Sequence, residues 1–107
     1  MHSARVLGPM RHSSLTRRIS DLNNQIKSYR TELGITEEQL LVLQDQRDDA
    51  KTRAIVSETP LASREYQEAE RTYSRFKSYR DELREKIDEL VEAQDKLLEK
   101  LAAAKDD

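Results

Sequence analysis

The chain has 107 residues, 37% of them charged and 36% hydrophobic, with a net charge of -2, two glycines, two prolines and no cysteine or tryptophan. This excludes disulfides and thiolate metal sites, leaves too little turn chemistry for a sheet, and gives no global pull toward nucleic acid or anionic lipid. No apolar run approaches the roughly 18 residues of a membrane span and no secretory h-region is present, so a cytoplasmic protein with no membrane partner is expected.

Residues 1–13 contain Gly8-Pro9, a helix-breaking pair, and match nothing downstream. They read as a disordered leader or an expression remnant, with Ser13 or Ser14 able to cap the helix that follows.

From Leu15 the seam residues step alternately by four and three: Leu15, Ile19, Leu22, Ile26, Tyr29, Leu33, Thr36, Leu40, Leu43, Arg47, Ala50, Ala54. A 3.5-residue repeat sustained this long is the mark of a coiled coil, with Ile19 at heptad position a and Leu22 at d. Within this run "LGITEEQ" (33–39) carries an opposing signal. Gly34 suits a helix end, and Thr36 with Gln39 has capping-box spacing. Two readings stay open: one helix over 14–57, continuous or kinked near Gly34, which the unbroken heptad phase favours, or two helices over 14–33 and 36–57.

"SETP" (57–60) then stops the pattern. Thr59 is a good N-cap, Pro60 suits a first helical position, and the residue before a proline is steered out of the α region. A second helix over 60–102 follows with the same repeat: Ala62, Tyr66, Ala69, Tyr73, Phe76, Arg80, Leu83, Ile87, Leu90, Gln94, Leu97, Leu101. Residues 103–107 read as a disordered tail.

The fold class expected is therefore all-α, an antiparallel two-helix coiled-coil hairpin over 14–102 with its tip at 57–60. Folding the chain at Glu58 sets Leu43 opposite Tyr73, Leu33 opposite Leu83, Ile26 opposite Leu90 and Leu15 opposite Leu101. Each a position then meets a d position, as antiparallel pairing requires. The same register sets the polar seam residues Thr36 opposite Arg80, Arg47 opposite Ala69 and Gln94 opposite Leu22. Such residues specify register at some cost in stability, and an arginine can run its stem along the seam. At the flanks, Arg53 is expected near Glu65 and Glu32 near Lys86, each exposed pair contributing a few tenths of a kcal/mol.

No catalytic constellation stands out. His2 and His12 lie in or beside the leader with no cysteine partner, and Asp48-Asp49 has no pocket in which burial could tune a pKa. Neither an enzyme nor a cofactor is expected. "RTYSRFKSYR" (71–80) interleaves cations with aromatics as nucleic-acid patches do, but Tyr73 and Phe76 are seam positions, so a nucleic-acid partner is not expected.

The residues left over point to a protein partner. Ile35, Leu41, Val42, Tyr79, Val91 and Leu98 lie off the seam and form a candidate side stripe for self-association, a dimer being favoured. Ile55, Val56 and Leu61 flank Glu58 at the tip and form a candidate partner-binding end.

Two resemblances sit at this tip. "VSETPLASREYQEAERTYSRFKSYRDEL" resembles a set of short uncharacterised actinobacterial coiled-coil proteins with an ETPLA-x-RE-like loop, which implies a hairpin but little chemistry. "SREYQEAERTYSRF" and the hairpin geometry are similar to the N-terminal coiled coil of Gre-type transcript-cleavage factors. Those factors insert their tip into the secondary channel of RNA polymerase, where acidic residues hold a catalytic metal. Here only Glu58 matches such a tip, with Glu65 about two turns away, so the resemblance implies channel binding and transcription regulation without the cleavage chemistry.

Overall fold

The computed structural model describes residues 2–106, with side-chain surroundings for residues 12–104. It contains two helices, α1 (His2–Ser57) and α2 (Pro60–Asp106). The chain is all-α, and the two helices pack antiparallel. It divides into two compact units: a terminal unit of Met1–Arg30 with Glu85–Asp107, and a tip unit of Thr31–Arg84.

The heptad reading accounts for the core residue by residue. Between His12 and Ser57, the twelve seam residues expected from the sequence are buried or half-buried, and every other residue is exposed. In α2 the twelve expected positions are likewise buried or half-buried, joined only by Glu70, Thr72, Val91 and Ala93 among the described residues. The physical cause is the period: a 3.5-residue repeat keeps one narrow apolar stripe facing the partner helix. The terminal unit centres on Ile26, Ile87, Leu90 and Leu97, and the tip unit on Thr36, Leu40, Ala50, Ala62 and Leu83. The tip unit thus relies on two alanines and a threonine for much of its fully buried interior.

α1 passes through Gly34 without interruption, and Gly34 does not take a positive φ. The helix break that "LGITEEQ" would allow does not occur. The Thr36 hydroxyl, which would cap a new helix, instead donates to the Glu32 carbonyl one turn back in the same helix, at 2.8 Å. Burial of Thr36 in the seam wins over its local capping preference.

At their outer ends both helices run past the expected bounds. Gly8, Pro9, Ser13 and Ser14 fall within α1, and residues 103–106 fall within α2. Extending an existing helix adds one hydrogen bond per residue fixed, so nothing compels an end at 102 or a start at residue 14, whereas Pro9 has no N–H to contribute and its place within α1 has no such explanation. Met1 and Asp107, and the side chains of 2–11 and 105–106, lie outside the described residues.

Candidate functional site

The turn is built by two caps. Glu58 adopts φ 51°, the left-handed conformation usually given to glycine at a helix C′ position, and its N–H donates to the Ala54 carbonyl at 3.2 Å. Thr59 then caps α2: its Oγ1 accepts from the Ala62 N–H at 3.1 Å, and its carbonyl accepts from the Ser63 N–H at 3.1 Å. Pro60 occupies the first helical position, where no N–H is needed. Around this turn Ile55, Val56 and Leu61 remain 66%, 78% and 61% exposed. They do not close the loop by packing under it; they stand in solvent beside a strained acidic residue.

The polar seam residues behave individually. Thr36 is 1% exposed and is satisfied within its own helix. Arg47 does not simply face Ala69. Its guanidinium lies 4.3 Å from the centroid of the Tyr73 ring, bonds Asp48 at 3.0 Å and reaches Glu70 at 3.7 Å. The hydrogen bond that the Arg47 guanidinium donates to Asp48 leads the effects that raise the Arg47 pKa above its already high ordinary value, with the Asp48 and Glu70 charges acting the same way against partial desolvation. Arg80 turns to Asp81 at 3.0 Å. The Gln94 amide donates to the Ile19 carbonyl across the pair at 3.4 Å. Among the described residues, no buried side-chain polar atom lacks a partner.

The two flanks of the tip unit differ in chemistry. On the e flank, Arg84 pairs with Glu37 at 3.5 Å, on the same side of the tip unit as the Arg47–Glu70 pair. A groove of about 370 Å³ runs there past Glu37, Leu41, Tyr73 and Arg80. On the g flank, a groove of about 250 Å³ is lined by Gln39, Val42, Leu43, Gln46 and Phe76, none of them charged. The cross-helix bond on that flank is the Tyr79 phenol donating to a Glu32 carboxylate oxygen at 3.0 Å. Within the tip unit the expected ion pair Arg53–Glu65 does not form, and Glu32, expected near Lys86, accepts from Tyr79. An exposed pair such as Arg53–Glu65 gains too little to hold two long side chains together.

The expected side stripe resolves into separate surfaces. Leu41 lines the e-flank groove and Val42 the g-flank groove, although they are adjacent in sequence and both exposed. Ile35, one heptad before Val42, is exposed as well. Val91 and Leu98 belong to the terminal unit, where Val91 is half-buried and Leu98 exposed. Of the eight large hydrophobics left exposed among the described residues, seven lie in the tip unit: Ile35, Leu41, Val42, Ile55, Val56, Leu61 and Tyr79. Sequence reasoning overlooked Gln39, Gln46 and Thr72. The available signal was the lack of charge at three of the g positions beside Val42 and Phe76, in a chain that is 37% charged.

Among the described residues, no cluster of three or more histidine, cysteine or acidic side chains could hold a metal ion, and no helix is long and apolar enough to cross a membrane. No protein-family model, curated protein or solved structure matches the chain.

Proposed function

We propose that the chain is a non-catalytic interaction module that presents the tip of a helical hairpin to a protein partner. The observation that carries this reading is the exposure of Ile55, Val56 and Leu61 around Glu58, which is held in a left-handed conformation. A non-glycine residue at positive φ costs about 1–2 kcal/mol, and such strain clusters at binding sites. Three exposed aliphatic side chains on a capped turn give a partner an apolar contact at little ordering cost, because the two caps already hold the backbone.

The test is capture of partners from the native cell by the wild-type chain and by a Val56→Ser, Leu61→Ser double variant. Both substituted side chains are exposed, so helicity is expected to be unchanged. Loss of a specific partner with the variant supports the reading, and identical capture by both chains sinks it.

A second reading draws on Glu58 as the acidic residue at the apex, together with the resemblance to Gre-type hairpins: insertion of the tip into the secondary channel of RNA polymerase, without cleavage chemistry. Direct binding to purified polymerase, lost on Glu58→Ala with Val56→Ser, distinguishes it from a different partner.

A further inference from the structure

We infer that the outward face of α1 in the tip unit docks on the basic groove of the terminal unit in a second copy, so that the chain self-associates by pairing the two oppositely charged parts of α1. The inference goes beyond the tip-binding reading and uses no residue of the turn.

The first observation is how charge is spread along α1. Residues 1–30 carry six cations and one acid, Asp21, whereas residues 31–49 carry six acids and one cation, Arg47. On an exposed helix, opposite charges three or four residues apart ordinarily support one another. In α1 the signs are segregated instead. Each stretch repels itself and complements the other.

The second is the face on which the acids stand. Counting from Ile19 at position a, the side of α1 turned away from the seam consists of positions b, c and f. Between 35 and 49 that side holds the exposed Ile35, Leu41 and Val42 together with Glu38, Asp45 and Asp49, and no cation. Asp48 lies there too, but it is bonded to Arg47. Among the described residues, Glu38, Asp45 and Asp49 form no ion pair. Leu41 and Val42 line different flank grooves, and the Glu38–Asp45 row runs between them. The outward side of α2 in the same unit mixes both signs, with Glu68 and Asp81 beside Arg71 and Arg75. Aliphatic side chains set among acids alone are matched by a surface that offers apolar contact between cations.

The third is that the chain supplies such a surface. A groove of about 480 Å³ in the terminal unit has Leu22, Ala93 and Leu97 between Arg18, Lys96 and Lys100, with Asp21 its one acid. Lys96 reaches Glu92 on its own helix at 3.6 Å. Arg18 and Lys100 come from different helices, line the same groove, and form no ion pair, nor does the exposed Arg17. Two like charges facing one groove cost the hairpin stability, and an incoming carboxylate relieves that cost. Pairing the acidic face with the acidic face of another copy would meet like-charge repulsion, so the basic groove is the counter-surface.

The experiment is sedimentation of the purified full chain at about 100 µM in roughly 0.1 M salt, where exposed charges are screened beyond about 10 Å but not in contact. The wild type is expected to self-associate. Glu38→Lys with Asp45→Lys reverses the acidic face, and Arg18→Glu with Lys100→Glu reverses the groove. Each pair should weaken association at least about 10-fold, because each sets like charges in contact. An equimolar mixture of the two double variants should associate again, since each supplies the charge that the other has lost. Arg71→Glu with Arg75→Glu, on the outward side of α2, changes the net charge as much as the groove variant does and should associate like the wild type. All the substituted side chains are exposed. Helical circular dichroism checks each variant, and Glu38→Gln with Asp45→Asn takes the place of the lysine pair if that pair unfolds. A monomeric wild type, a mixture that stays monomeric, an α2 control as disruptive as the other two, or an association unchanged at about 1 M salt overturns the proposal. The turn is intact in every variant and the purified chain alone is measured, so failure here leaves the tip-binding test untouched.

Discussion

The guanidinium of Arg47 lies 4.3 Å from the centroid of the Tyr73 ring, and it does so from a seam position that a heptad would normally fill with an aliphatic residue. The arginine stem runs along the seam and its head leaves by the e flank toward Asp48 and Glu70. A residue that reads as a flaw in the apolar repeat therefore covers a half-buried aromatic ring and ties the two helices of the tip unit together.

A double-mutant cycle with Arg47→Met and Tyr73→Leu tests this contact. Each single change is expected to lower the urea midpoint. The double variant should lose less than the two losses combined, because the shared contact can be lost only once. Strict additivity would show that Arg47 and Tyr73 act independently. Since the raised Arg47 pKa keeps the group protonated throughout the range in which the protein is handled, its contribution is present below the unfolded-state pKa. It disappears only as pH rises through the folded value in strong alkali.

Glu58 offers a stabilising substitution. At φ 51° a glycine avoids the Cβ clash, so Glu58→Gly is expected to raise stability by about 1 kcal/mol, whereas Glu58→Ala keeps the clash and should change it little. Chemical denaturation of both variants checks this. A glycine variant no more stable than the alanine variant would show that the backbone is unstrained.

Gly34 offers another, by a different route. A Cβ built at Gly34 meets nothing within 4 Å, and the residue sits inside α1. Gly34→Ala should therefore gain about 0.5–1 kcal/mol from helix propensity and reduced freedom of the unfolded chain. A loss on this substitution would mean that the chain bends at Gly34 in solution.

The cap and the core provide losses of different size. Thr59→Ala removes the acceptor for the Ala62 N–H and should cost about 1 kcal/mol. Leu83→Ala, at a position only 4% exposed, should cost about 2–5 kcal/mol, a large share of the total for a chain with so small a core. Thermal melts of the two variants should fall in that order.

Most of the architecture was determined by the sequence alone. The four–three spacing named every seam residue of α1 between 12 and 57, and Thr59-Pro60 located the restart of the second helix, because burial in a two-helix seam depends on period and a helix start depends on local capping. Chain length and composition could not decide which of two conflicting local signals prevails. Gly34 with Thr36 also reads as a helix end, against the heptad phase that favours continuity, and the burial of Thr36 goes with its hydroxyl turning back onto Glu32. The same holds for Arg47, whose direction was settled by Tyr73 and Glu70, residues from the other helix. The separation of Leu41 from Val42 onto opposite flanks likewise needed the position of α2. A one-dimensional pattern states how far a side chain is from the seam, and the packed partner helix decides which groove that side chain enters.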